Sequence, residues 1–197
     1  MSTIDVPRIS HPVGSKTQRL AAIGAFSAVA ILLNRLVVIP APFLSFLSYE
    51  VWEIPIVVAF LIFGIAVALP AALVNFLVLL IFPGVIFAGP LYNLIATLSM
   101  LLGIGVSKSL YASKAKSFSR EIVISTSLGT ASRVVVMTIV NASLLQLPPP
   151  LGFDVPASLV YSWLPLIAFF NGTISLYTIP LAYGVLKGIL ARLRLRT

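Results

Sequence analysis

The stretch Pro40–Gly64, PAPFLSFLSYEVWEIPIVVAFLIFG, decides the fold expected for this chain. Its first half is rich in proline, serine and aromatic residues, and its second half is a continuous apolar run. Glu50 and Glu53 stand beside Tyr49 and Trp52 where the apolar run begins. Carboxylates and aromatic rings that carry one polar atom are typical of the boundary between water and hydrocarbon. The stretch therefore predicts a segment at the membrane–water boundary, a wet rim, that leads into a membrane helix and covers a site.

The composition of the whole chain indicates an integral membrane protein. Of its 197 residues, 59% are hydrophobic and 9% are charged, and the mean hydropathy is +1.11. Soluble domains average roughly 45–50% apolar and about 25% charged residues. The net charge of +8 does not indicate nucleic-acid binding, because the basic residues border apolar segments without interleaved aromatic residues. We therefore expect a multi-pass protein of the cell membrane, in contact with lipid and not with nucleic acid.

Apolar runs place the expected membrane helices. The first run, Leu20–Val38, has about 19 residues and can span a hydrocarbon core of roughly 30 Å. The later runs are Ile54–Phe82, Leu91–Val106, Ile122–Leu147 and Leu159–Leu190. The run from 54 to 82 is too long for one untilted span and contains Pro70. A reversal at Pro70 would divide it into two short helices, roughly Glu53–Leu69 and Ala71–Phe82.

The distribution of basic residues favours six spans. With six, the N-terminal tail, the basic loop 107–120 and the C-terminal tail all face the cytoplasm, as the positive-inside rule requires. The predicted fold class is all-α: a bundle of six transmembrane helices with cytoplasmic N- and C-termini. The predicted segments are a polar tail at 1–19, the bundle at 20–190 and a basic tail at 191–197. The uncharged loops Pro83–Gly89 and Gln146–Ser158 then join Pro40–Tyr49 on the outer side, where the three can roof one cavity.

Three asparagines lie in apolar helices and need hydrogen-bond partners. They are Asn93, Asn141 and Asn171, and the six-span topology places all three at the level of the outer loops. An unpaired amide in hydrocarbon costs several kcal/mol. Each asparagine can join helices, or it can contact a ligand. Three amides at one depth below a roof favour a small-molecule pocket, over which Tyr49 and Trp52 would close.

Two arginines stand apart from the cytoplasmic clusters. Arg133 lies near the middle of its span, where a charge costs at least roughly 2.5–3.5 kcal/mol, so it should face the bundle interior and be paired. No acid is expected inside a span, which leaves hydroxyls, backbone carbonyls or an acidic ligand group as its partner. Arg35, at the outer end of the first helix, is expected to pair with Glu50 or Glu53.

The sequence contains none of the patterns that catalysis or ion-driven transport requires. It has no phosphate-binding glycine loop, no His/Cys metal cluster and no nucleophile beside a base. We therefore predict no catalytic residue, metal or cofactor, and a protein that is not an enzyme. Secondary transporters usually carry intramembrane acids and repeats, which are also not found here. Energy for moving a solute would have to come from another subunit.

Several motifs together resemble one family of membrane proteins. They are EIPIVVAFLIFG at Glu53–Gly64, GPLYN at Gly89–Asn93, RVVVMTIVN at Arg133–Asn141 and FFNG at Phe169–Gly172, in this order within a six-helix pattern. The chain is similar to the substrate-binding S components of energy-coupling factor (ECF) vitamin transporters, and most to the riboflavin-binding members. Those members often carry a lysine three positions after the asparagine of the last helix, where this chain has Ile174.

The resemblance implies a function and a partner surface. It implies a vitamin-binding subunit, riboflavin first and another vitamin or heterocyclic nutrient second, which releases its cargo by toppling in the membrane. A membrane scaffold or assembly protein is the contrasting interpretation. A stripe of small residues on the first helix permits close helix packing, either within the chain or on a partner: Ala21, Gly24, Ala25 and Ala28. The resemblance implies that this stripe docks on the transmembrane T component, which couples to two ATPase subunits.

Overall fold

Six α-helices and one two-stranded sheet make up the described part of the chain. A computed structural model describes residues 15–44, 46–82, 84–111 and 117–194. The helices are α1 (Lys16–Leu36), α2 (Glu53–Phe63), α3 (Ile65–Leu79), α4 (Ala88–Tyr111), α5 (Phe118–Leu144) and α6 (Ala157–Arg194). Strands β1 (Val38–Pro40) and β2 (Ser48–Glu50) lie between α1 and α2.

Four of the helices are long and apolar enough to cross a membrane, namely α1, α4, α5 and α6. With about 1.5 Å of rise per residue, the 11 residues of α2 and the 15 of α3 extend only about 16 and 22 Å. Both are shorter than a hydrocarbon core of roughly 30 Å. The chain is therefore a helical membrane protein, and the expectation that its second and third helices are short is confirmed. Six complete crossings stay a prediction.

The break between α2 and α3 is at Gly64, so the predicted reversal at Pro70 is wrong. Gly64 has a φ of 74°, a conformation that side chains with a Cβ rarely adopt. Pro70 lies inside α3. A proline removes one backbone hydrogen bond, but membrane helices tolerate it when neighbouring groups bond the freed carbonyl. The prediction gave too much weight to the tendency of Pro70 to break a helix and too little to that of Gly64.

The long helices extend beyond the apolar runs that predicted them. Helix α1 already begins at Lys16, because the Ser15 hydroxyl accepts from the Gln18 backbone N–H while the Gln18 side chain accepts from the Ser15 N–H. At the other end of the chain, α6 continues to Arg194. Both predicted tails are thus partly helical. Residues 1–14 and the centre of the predicted basic loop, 112–116, lie outside the described residues.

The sheet is an antiparallel hairpin that the all-α prediction did not include. It pairs Val38 with Glu50, Ile39 with Tyr49 and Pro40 with Ser48. Each strand has only three residues, which is too short for a recognisable alternating pattern. The connection between the strands packs on α6, where Ala41, Phe170 and Ile174 form a small buried cluster.

Helix packing gives the bundle two distinct ends. Helix α5 packs between α4 and α6, and α3 packs along α1. We call one end of the bundle the hairpin end. It contains the hairpin, the starts of α4 and α6 and the end of α5. The opposite end contains the start of α1, the α2–α3 junction, the end of α4 and the start of α5. There the ring of Phe26 contacts that of Phe63, and the ring of Phe118 contacts that of Tyr183.

Candidate functional site

A cavity of about 260 Å³ opens between the hairpin and the helix ends around it. Residues of α1, the hairpin segment, α3, α4 and α6 line it. Its polar lining consists of Asn34, Arg35, Ser48, Glu50 and Asn93. Two of the three predicted roof loops contribute lining residues, but the lining includes none from 146–158. The cavity therefore combines amides and charged groups with an apolar wall, the usual character of a small-molecule site.

The hairpin presents alternate residues to the cavity. Ser48 and Glu50 line it, whereas Tyr49 between them does not. Successive side chains of a strand point to opposite faces, so Tyr49 points toward α6 instead. There its ring lies 5.0 Å from the ring of Phe170, and its hydroxyl accepts a hydrogen bond from Thr173 Oγ1 at 3.2 Å. Tyr49 thus fixes the hairpin on the bundle.

Trp52 is buried, which corrects the expectation of a wet rim. Only 3% of its surface is exposed, and its indole N–H donates to Glu50 Oε2 at 2.7 Å. Burial raises the pKa of Glu50 to about 7, although the bond from Trp52 opposes that rise. At neutral pH the Glu50 carboxyl is therefore close to half protonated, so it can either donate or accept a hydrogen bond from within the cavity.

Arg133 is paired with an acid, contrary to the prediction that no acid lies inside the helices. Its Nη1 donates to Glu53 Oε2, and its Nε donates to Asn171 Oδ1 at 3.0 Å. Thr97 Oγ1 also donates to Glu53 Oε1, at 3.2 Å. Arg133 and Glu53 are each only 3% exposed, which makes this the one ion pair among the described residues and a buried one. The network joins α2, α4, α5 and α6.

The predicted pairing of Arg35 with Glu50 or Glu53 is also wrong. The Arg35 guanidinium carbon lies 3.6 Å from the centroid of the Phe82 ring, in a cation–π contact. Glu53 is occupied by Arg133. Arg35 and Glu50 do line the same cavity, where each retains hydrogen-bonding capacity toward a ligand.

The three predicted asparagines have different surroundings. Asn93 lines the cavity, and among the described residues its amide has no hydrogen-bond partner. Asn171 bonds Arg133 and donates from Nδ2 to the Ile167 carbonyl at 2.9 Å. Asn141 donates from Nδ2 to the Met137 carbonyl of its own helix at 2.7 Å. The structure brings only Asn93 to the cavity.

Asn34 is a lining residue that sequence reasoning missed. It is 8% exposed, and its Nδ2 is buried without a hydrogen-bond partner in the described part of the chain. The rule that selected the other three asparagines, an amide in an apolar helix, would also have selected Asn34 and Asn75. No group of three or more His, Cys, Asp or Glu residues that could hold a metal occurs within the described ranges.

The small-residue stripe of α1 lies on the outside of the bundle. Ala21, Gly24, Ala25 and Ala28 are all exposed, and a Cβ added to Gly24 would meet nothing within 4 Å. Helix α1 packs on the rest of the chain through its other face, which includes Ala30. The stripe is therefore not used for packing inside the described bundle, which was the alternative to a partner surface.

Comparison with solved structures identifies the architecture. The chain superposes on the S component of a bacterial ECF transporter with a TM-score of 0.64, over 91% of this chain and 97% of that one, at 22% sequence identity. The chain has the fold of an S component. At this identity the likeness establishes the fold of this S-component-like bundle and not its ligand. No protein-family model matches the sequence, and no curated protein matches it either.

Proposed function

We propose that this chain is the substrate-binding subunit of an ECF-type vitamin transporter in the cell membrane, with riboflavin as its ligand. The observation that carries the proposal is a cavity with an amide and charged lining at the hairpin end of an S-component fold. Its role is binding and transport rather than catalysis. Both chain termini are proposed to be cytoplasmic, which puts the cavity on the outer side with all six helices crossing.

The proposed ligand-binding set has unequal members. Asn93 is the member that lines the cavity with a free amide, so it is the strongest candidate for direct contact. Tyr49 holds the hairpin on α6 through the bond from Thr173, and Trp52 donates to Glu50, which lines the cavity. Arg133 and Asn171 bond each other, and Asn141 bonds its own helix. We propose that these three support the cavity from within the bundle.

Flavin spectroscopy tests the proposal. The isoalloxazine ring absorbs visible light, so protein purified from riboflavin-containing cells should be yellow, and the apo-protein should quench flavin fluorescence on titration. A colourless preparation that neither quenches riboflavin fluorescence nor is thermally stabilised by any vitamin would favour the scaffold interpretation instead.

One observation favours a second ligand class. Where riboflavin-binding S components often have a lysine, Ile174 is buried and packs with Ala41 and Phe170 under the hairpin. Ile174 does not line the cavity, and this position supplies no side-chain donor to it. Another vitamin or heterocyclic nutrient that does not require that donor is the alternative ligand. A thermal-shift panel of vitamins on the apo-protein distinguishes it from riboflavin.

The exposed stripe of α1 is the proposed docking surface for a T component, whose complex with ATPase subunits would supply the energy. Gly24→Leu should abolish uptake in cells that contain the partner subunits, because the added side chain holds the partner helix away. Ligand affinity of the isolated variant should stay within about twofold of the parent, since the stripe is outside the cavity. Ala131→Leu, at an exposed position on α5, is the matched control and should leave uptake unchanged. Full uptake by Gly24→Leu would remove the stripe from the docking surface.

A further inference from the structure

The carboxamide of Asn34 occupies an unusual position for a membrane protein. It lies near the end of α1, is more than nine-tenths buried and lines the cavity. Neither atom of the amide has a hydrogen-bond partner among the described residues, and Nδ2 has no access to water. Burial without partners penalises the folded, ligand-free protein. Oδ1, unlike Nδ2, retains access to solvent, so a donor in the cavity can reach the amide at that atom.

The polar groups that line the cavity around Asn34 restrict which chemical group of a ligand can bind there. Oδ1 of Asn34 can accept from a ring N–H, and a ring N–H beside a C=O is the polar edge of a cyclic amide or imide. The neighbouring guanidinium of Arg35 adds donors for a carbonyl oxygen, and Glu50 contributes a group that can accept from an N–H or donate to a carbonyl. All three groups therefore suit the polar edge of a cyclic amide or imide.

We propose that Asn34, on α1, is a ligand-specificity residue that hydrogen-bonds the cyclic amide or imide edge of the bound heterocycle. This inference rests on the proposed function, because it assumes that the cavity holds the transported compound. It deepens that function by naming the chemical group that is recognised and a helix that contributes to recognition. For riboflavin, the group is the imide of its pyrimidine ring.

Stability and affinity should respond to Asn34 in opposite directions. Asn34→Leu replaces the amide by an apolar group of similar shape, so the ligand-free protein should melt at the same or a higher temperature. The dissociation constant for riboflavin should rise about tenfold or more, since the imide would be buried without its partner. A merely structural asparagine would do the reverse, with a lower melting temperature and unchanged affinity.

Asn75→Leu is the matched control. Asn75 is 1% exposed, and its Oδ1 lacks a partner within the described ranges, but it does not line the cavity. Its replacement should leave riboflavin affinity within about twofold of the parent. A second probe is riboflavin methylated at the imide nitrogen, which should bind the parent about tenfold more weakly than riboflavin. The Asn34→Leu variant should not distinguish the two compounds.

The outcomes separate this inference from the proposed function. If the parent binds riboflavin and Asn34→Leu binds it equally well, the specificity role is wrong and the riboflavin proposal stands. If the parent does not bind riboflavin, thermal-shift measurements replace the titration. The two compounds tested are biotin, which has a cyclic urea edge, and thiamine, which has no ring amide. Stabilisation by biotin that Asn34→Leu abolishes would support the specificity role and overturn riboflavin. Stabilisation by thiamine, or by none of the three compounds, would overturn both.

Discussion

The two ends of the bundle differ in where their buried polar side chains lie. At the hairpin end, Asn34 and Asn93 border a cavity with no partner among the described residues. At the opposite end, buried hydroxyl groups form a continuous chain. Its bonds run from Ser107 to Ser125 at 2.7 Å, from Ser125 to Tyr183 at 3.0 Å and from Tyr183 to Glu121 at 3.1 Å. Three hydroxyls in that half, those of Thr126, Thr130 and Thr178, are buried without a partner among the described residues. The difference is that the unpartnered amides of the hairpin end border a cavity.

Two glycines of α4 differ in how closely the backbone around them is packed. In the half of the bundle nearer the opposite end, a Cβ on Gly103 would collide with the Leu128 carbonyl oxygen, so α4 and α5 are in direct backbone contact. At the hairpin end, a Cβ on Gly89 would meet nothing within 4 Å, and Gly89 lines the cavity. Helix α4 is therefore closely packed on α5 at Gly103, whereas its first turn borders the cavity.

The buried ion pair between these regions should give the largest effect. Arg133→Met leaves Glu53 buried without its charge partner, which costs about 3–5 kcal/mol. This corresponds to a melting temperature lower by about 10 °C or more in detergent. The double variant Arg133→Met with Glu53→Leu removes both charges and should recover most of that loss. Equal destabilisation of the single and double variants would mean that packing, and not charge, decides the stability here.

The close helix contact should give the next largest effect. Gly103→Ala forces a methyl group against backbone atoms that cannot rotate away, at a cost of up to about 3 kcal/mol. Gly24→Ala, at an open position on α1, is the control and should not lower the melting temperature. Thermal unfolding of both variants measures the difference. A Gly103→Ala protein as stable as the parent would show that α4 and α5 can separate at no cost.

At the hairpin end the expected effect is on affinity. Asn93→Leu should raise the dissociation constant for riboflavin roughly five- to hundredfold, because a polar ligand atom loses its partner. Asn141→Leu should raise it much less, since the Asn141 amide bonds its own helix and would act on the cavity only indirectly. Fluorescence titration of both variants makes the comparison, with melting curves recorded without ligand. Similar losses at both positions would extend the binding site to α5.

The smallest effect concerns pH. Because burial raises the pKa of Glu50 to about 7, the folded protein binds a proton more tightly than the unfolded chain does. This contribution to stability is complete below about pH 4.5 and is lost as the pH rises through about 7. The ligand-free protein should therefore melt a few degrees lower at pH 8 than at pH 5, and Glu50→Gln should reduce that difference. An unchanged pH dependence in the variant would assign it to other groups.

The sequence predicted the class of protein and the shortness of α2 and α3. It also predicted that Arg133 faces the interior and needs a partner, which the structure confirms. It misplaced the break between α2 and α3, because Pro70 is tolerated inside a helix while Gly64 is needed for a positive φ. It also missed the hairpin and Asn34.

These successes and failures have a physical basis. Burial of apolar segments in a membrane depends on contiguous composition, so helices can be recognised one at a time from the sequence. Pairing of polar groups depends on which residues the fold brings together. Glu53 and Arg133 are 80 positions apart in the chain, and nothing local specifies their contact. The sequence alone determined that this protein is a helical bundle in a membrane, with polar groups that require partners. Only the tertiary structure decided which of those groups satisfy each other, at Arg133, Glu53 and Asn171, and which border the cavity with no partner in the described part of the chain, at Asn34 and Asn93.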